Sequence, residues 1–335
     1  MLKLRTNQLQ PVYLHDYKEL PDMVSYNVLP GLALTPENKT GISIDGLKTA
    51  VITATIVLIC FLSGCALQKK EAMVKGYDGK LNENDIIRSE TMTLVSFDEM
   101  IGELSEADVV LLGEQHRNRR HHELQLEIIK AIYRKSKSFS VGLEMFDITY
   151  QPILDFFKGK KLDEKEFIEK THWYANWRFD FELYRPILSF VMENGIPAYA
   201  LNIPSQIPPK ILAGGTASLF GDDKKFLPKC FPTDNKKYLE DLKRIFAMHN
   251  LKNRDNFDYF YEAQCVWDAR MAESIIENID NGKMAVLVGA GHAQKNCGIT
   301  EQIEKKSTLS VKSVILMSQN NEKEITDADF YYVTK

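Results

Sequence analysis

The sequence is sparing with the features that announce many functions. It has five cysteines among 335 residues and no Cys-x-x-Cys pair, so a thiolate metal site has little to build on. Positive charge is not in excess: 42 basic against 46 acidic residues give a net charge of -4, which leaves no basic footprint for nucleic acid. There is no P-loop, no His-Glu-x-x-His and no Gly-x-Ser-x-Gly, which removes the usual signatures of nucleotide hydrolysis, zinc peptidases and serine hydrolases. No internal repeat or low-complexity tract breaks the chain, so solenoids and fibrous arrays are excluded as well.

The apolar run "LKTAVITATIVLICFLSGC" contains Lys48 followed by an uncharged stretch ending in Leu62-Ser63-Gly64-Cys65. It is short for a membrane span and of the length of a signal-peptide core. Its last four residues look like a bacterial lipobox. The expectation is therefore a lipoprotein signal peptide over 47–64, lipidation of Cys65, and a polar tether over 65–84. Several acyl chains at about 0.8 kcal/mol per buried methylene make a stable anchor. Residues 1–46 do not fit a signal peptide and read as a start-site extension or a disordered segment. Ala66, in place of an aspartate, points to the periplasmic face of an outer membrane. Of the cysteines, Cys60 leaves with the signal peptide, and Cys230, Cys265 and Cys297 remain in the mature chain.

Beyond the tether, short apolar runs alternate with helical patterns. Val109–Leu112, Ser140–Leu143, Ala198–Leu201, Met284–Val288 and Val314–Met317 read as strands buried on both faces. His121–Lys135, Tyr184–Asn194 and Tyr259–Ile279 read as helices between them. The alternation implies an α/β domain over 85–335, with a parallel-sheet core, flanking helices and an inserted helical subdomain at about 204–258.

Polar residues recur just past these strands. "VVLLGEQH" ends in Glu114 and His116, "GLEMF" carries Glu144, "ALNIP" carries Asn202 and "GAGH" carries His292. In a parallel sheet the carboxyl ends face one crevice, where ligands bind. A single strand-end glutamate is more often a helix cap or an ion-pair partner. Four such ends together point to one shared cleft. "GAGH" does not continue as a dinucleotide fingerprint, because Gln294 stands where the third glycine belongs.

The blocks "VVLLGEQHRNRRHHELQLEII", "GLEMFDITYQPILD", "NWRFDFELYRPIL", "YALNIP", "WDARMAESI" and "VLVGAGHAQKNCGI" resemble, in order, the ChaN-like haem-binding lipoproteins. That family shares a superfamily with TIKI metalloproteases, TraB proteins and erythromycin esterases. The resemblance runs from about Phe97 to Ile303. One departure is Ser205, where many members have an arginine after the Asn-x-Pro block.

The resemblance implies haem as the ligand, a homodimer with two haems face to face, tyrosine ligation of iron, and a link to haem-uptake machinery. Candidate ligands are Tyr150, Tyr174 and Tyr184, with His121, His122 and Asn202 nearby; a tyrosinate suits ferric iron. The hydrolytic relatives imply an alternative. In them Glu114, His116, Glu144 and His292 would form the active site, either as an acid–base set or with His116, Glu144 and His292 holding a divalent metal such as zinc or manganese.

Overall fold

A computed structural model describes residues 74, 76–136, 138–247, 256–279, 282–318 and 327–335. The segments read as extension (1–46) and signal peptide (47–64), Cys65, and half of the stretch read as tether lie outside the described residues. Part of the stretch read as tether does not behave as one: Val74 and Leu81 are buried in the core.

Eight strands form one sheet: β1 (Ile86–Arg88), β2 (Thr93–Leu94), β3 (Val109–Glu114), β4 (Phe139–Asp147), β5 (Ala198–Asn202), β6 (Lys283–Gly289), β7 (Val311–Ser318) and β8 (Phe330–Thr334). Their order is β2-β1-β8-β7-β3-β6-β4-β5. From β8 to β5 every neighbouring pair is parallel, and only β1 and β2 run antiparallel to their neighbours. The α/β class and the parallel core read from the sequence are thus what the chain adopts.

Each central strand sends alternate side chains to opposite faces, as the two-residue period of a strand requires. Val109 and Leu111 of β3, with Met284, Val286 and Val288 of β6, face one apolar cluster. Val110 and Leu112, with Ala285 and Leu287, face the other. On the second face lie α1 (Phe97–Leu104), α2 (Arg119–Lys135), α3 (Gln151–Phe157), α4 (Glu164–Thr171), the short α5 (Trp173–Asn176) and α6 (Phe181–Glu193). The first face is covered by α7 (Ile207–Gly214), α8 (Lys236–Ala247), α9 (Phe257–Asn278) and α10 (Gly298–Lys306).

The segment expected as an insertion contributes α7 and α8, and its Ile207, Ile211, Leu219, Tyr238 and Leu242 belong to the same cluster as the sheet. Helix α9 is covered all round: every residue from Ala263 to Ile275 is buried. A helix buried on every side must pair its polar residues internally, and Asp268 in its middle does so at the site described next. Cys230, Cys265 and Cys297 are all free thiols. Among the described residues no helix is long and apolar enough to cross a membrane.

Candidate functional site

The site forms at the carboxyl ends of β3, β6 and β4, three adjacent strands with β6 in the middle. Glu114, the last residue of β3, is in register with Gly289, the last of β6. Regular pairing of β4 with β6 ends at Leu143 and Leu287. There the Glu144 Oε2 takes over and accepts the Gly289 N–H at 2.6 Å. A Cβ at Gly289 would lie 3.1 Å from His116 Cε1, 3.2 Å from His116 Nε2 and 3.7 Å from Glu144 Oε2. The missing side chain is what lets the imidazole and the carboxylate close over this strand end. Gly113 lies within β3, where a Cβ would meet Ala293 at 2.9 Å and Ala290 at 3.0 Å, so it admits the turn that delivers His292.

Two histidines flank Glu144, each backed by a buried carboxylate. His116 Nδ1 is 2.5 Å from Glu114 Oε1. Its ring packs edge-on to Trp177 at 4.9 Å and against Phe179 at 4.7 Å. His292 Nδ1 is 2.6 Å from Asp268 Oδ1, and its Nε2 is 3.7 Å from Glu144 Oε1. An ionised carboxylate can only accept, so each Nδ1 carries a hydrogen toward its carboxylate. Glu114, Glu144 and Asp268 are at most 2% exposed.

Four sequence candidates, His116, Glu144, His292 and Glu114, are therefore brought together. Asn202 adjoins them in another role. Its Nδ2 donates to the Glu144 carbonyl at 2.9 Å, and its Oδ1 accepts from the Trp267 Nε1 and from the Ile203 N–H at 2.8 Å. It ties β4, β5 and α9 together. A small cleft opens beside Glu144, between Trp177 and Trp267, with Asp147, Asn176 and Ser205 on its walls. Burial raises the Asp147 carboxyl above the usual carboxylate range, against the opposing effect of its bonds to Thr149.

His121 and His122 are turned to other tasks. His121 Nδ1 accepts the Gln115 N–H at 3.0 Å, so its Nε2 donates to Thr334 Oγ1 at 3.1 Å. His122 has Nδ1 on Gln125 Oε1 at 3.1 Å and Nε2 on the His116 carbonyl at 3.0 Å. Both imidazoles are buried and brace the β3–α2 turn, so neither presents a ring nitrogen to the cleft as an iron ligand would. Tyr184 is 1% exposed and donates to Glu114 Oε1 at 3.3 Å. Burial first, and the Glu114 charge next, push its phenol well above the ordinary value, which disfavours the tyrosinate that iron ligation needs. Tyr150 is partly buried, its hydroxyl accepting from Asn176 Nδ2 at 2.7 Å. Tyr174, on α5, is 54% exposed.

Among the described residues no three His, Cys, Asp or Glu side chains are grouped to hold a metal ion. Sequence reasoning did not single out Asp268, Tyr238, Trp177 or Phe179. The one available signal was an aspartate in the middle of an apolar helix, inside "WDARMAESI".

The family model described as haem-binding uptake, Tiki superfamily, ChaN matches residues 100–303. The chain belongs to this ChaN family. Its fold agrees with that of Campylobacter jejuni ChaN, solved with cofacially bound haem: 25% identity, a TM-score of 0.63, and coverage of 76% of this chain and 98% of that one. The ChaN match thus spans nearly the whole of the solved relative. An erythromycin esterase structure is 13% identical with a TM-score of 0.42 over 70% of this chain and 76% of its own, too remote to carry an argument. The chloroplastic protein RETICULATA-RELATED 5 of Arabidopsis thaliana is 22% identical over 241 residues, 64% of this chain. The chain spans about a third of that curated relative's length, 31%.

Proposed function

We propose that this chain is a haem-binding protein of the cell envelope, held to the membrane through lipid on Cys65 and serving haem or iron uptake. Membership of the ChaN family and the likeness to a ChaN that binds haem cofacially support the reading. The residues present fit the group. Tyr174 carries a half-exposed phenol next to the buried Trp173 and close in sequence to the buried Trp177, and a phenolate is a suitable donor for ferric iron. That exposure is the observation that carries the assignment: of the three candidate tyrosines, Tyr174 is the exposed one, while Tyr184 is buried and Tyr150 partly buried. Tyr150 stands second. An exposed ligand also suits a homodimer in which two haems meet face to face and the partner subunit covers them. Bound haem would supply the iron chemistry; the chain's part is to ligate, orient and shield it.

The test is a haemin titration of the mature domain. A Soret shift that saturates near one haem per chain is expected, with a tyrosinate-to-iron charge-transfer band. Tyr174→Phe should remove the band and weaken binding at least about tenfold, the equivalent of about 1.4 kcal/mol. An unchanged spectrum and affinity in Tyr174→Phe and Tyr150→Phe would exclude tyrosine ligation here.

A second reading rests on a specific observation: two carboxylate-backed imidazoles lie at strand ends beside one buried glutamate, and His292 turns its Nε2 toward it. Such a set can take a proton from water and return it to a leaving group, with Glu144 orienting the water, which is hydrolysis without a nucleophilic serine or cysteine. Hydrolysis of small activated esters by the haem-free protein, abolished by His292→Ala and by His116→Ala, is the expected result on this reading. Absence of turnover with and without added zinc or manganese would sink it.

A further inference from the structure

Behind His292 lies a buried chain of hydrogen bonds that starts in the segment 204–258. Tyr238, on α8, donates its hydroxyl to Asp268 Oδ2 at 2.6 Å. The other oxygen of the same carboxylate, Oδ1, takes His292 Nδ1 at 2.6 Å. Tyr238 is 4% exposed and Asp268 is fully buried. The edge of Trp267, the residue before Asp268, packs on the imidazole at 5.7 Å.

We propose that Tyr238 is a positioning residue of the site: through Asp268 it fixes His292 as the Nδ1–H tautomer, with Nε2 aimed at Glu144. A carboxylate on a two-torsion side chain can turn about its last bond, and one hydrogen bond from His292 does not define its plane. The phenol supplies the second fixed point, so the carboxylate plane, the imidazole proton and the direction of Nε2 are set together. Outer partners of this kind govern tautomer and basicity of the ring they support. The consequence is that α8, an element of the segment expected as an insertion, reaches the chemistry of the cleft without touching the cleft itself.

The inference rests on the acid–base reading for its importance, and its test does not depend on that reading. In the ligand-free protein, the His292 Nδ1 proton should give a downfield proton NMR resonance, assigned by its loss in His292→Gln. Tyr238→Phe removes one oxygen and keeps the ring. It should retain the circular dichroism of the wild type, move this resonance, and speed its exchange with water.

An unchanged resonance and exchange rate in Tyr238→Phe overturns the proposal, as does the lack of any such resonance in the wild type. Should Tyr238→Phe not fold, difluorotyrosine at 238 keeps the shape with a more acidic phenol, and a resonance that does not respond to it overturns the proposal equally. If the resonance responds to Tyr238 but the protein hydrolyses nothing, the positioning role stands and the hydrolytic reading alone fails.

Discussion

Gly289 and Asn202 carry the site for opposite reasons, one by lacking a side chain and one by using all of it. Gly289→Ala places a methyl 3.1 to 3.2 Å from the His116 ring, and Glu114, Trp177 and Phe179 hold that ring from the other sides. The imidazole cannot retreat without breaking its bond to Glu114. The substitution should cost about 1–3 kcal/mol, as overpacking does, and should displace the His116 signals in a histidine NMR spectrum. Asn202→Ala takes a partner from the Trp267 indole N–H, the Ile203 N–H and the Glu144 carbonyl. Three buried groups lose a hydrogen bond, so a loss of about 3 kcal/mol is expected in urea unfolding. A loss under about 1 kcal/mol would mean that water replaces the amide.

At the scale of elements, the start of α2 shows how the β3–α2 turn is fixed. Asn118 Oδ1 accepts from the N–H groups of Arg120 and His121, while its Nδ2 donates to Ser318 Oγ at 2.9 Å. Asn118→Ala should cost about 1 kcal/mol through the lost cap, read as a lower melting temperature, with the His121 environment perturbed alongside.

The same turn marks how far the sequence could be read. Five strands were legible because β3, β4, β5, β6 and β7 are buried on both faces and therefore written as apolar runs. The edge pieces β1 and β2 hold three and two residues, too few to show a period. β4 runs to Asp147, past the glutamate that seemed to end it, because its register with β5 shifts between Leu143 and Asp147. Glu144 and His292 were legible since strand ends announce the crevice. The partners that define their chemistry were not. Asp268 and Tyr238 sit on two helices on one face of the sheet, Glu114 meets Tyr184 from the other face, and no spacing in one element reports what a second element lays against it. His121 and His122 looked like ligands for the same reason: their consumption by Thr334, Gln125 and the His116 carbonyl is tertiary.

For the molecule as a whole, buried acids of weak strength set an alkaline limit. Burial pushes the thiols of Cys265 and Cys297 up to about 12, from 9.0. Burial, aided by Asp268, pushes the Tyr238 phenol well up, and Tyr184 behaves alike. In each case the unfolded chain loses its proton first. The stability these groups contribute is complete below about pH 9 and drains as pH rises, at up to about 1.4 kcal/mol per pH unit for each group. Unfolding free energy should therefore decline from about pH 9 and more steeply beyond pH 10. Tyr184→Phe should flatten the steeper part, and a parallel decline in wild type and variant would refute the assignment.

The strand order has a consequence in time. Lys283 donates to the Ala107 carbonyl across 176 positions of sequence, and the Ser310 N–H reaches Asp108 across 202. Parallel β6 must slide between β3 and β4, which the chain makes long before it. Closing such loops is paid for before any pairing rewards it, so folding belongs to the slow, non-local regime. Until residues 283–289 arrive, β3 and β4 are two apolar edges with nothing between them, open to pairing with other chains. A holding chaperone during synthesis should raise the yield of folded protein more than any single stabilising substitution, and the cleft should be the last part of the molecule to exist.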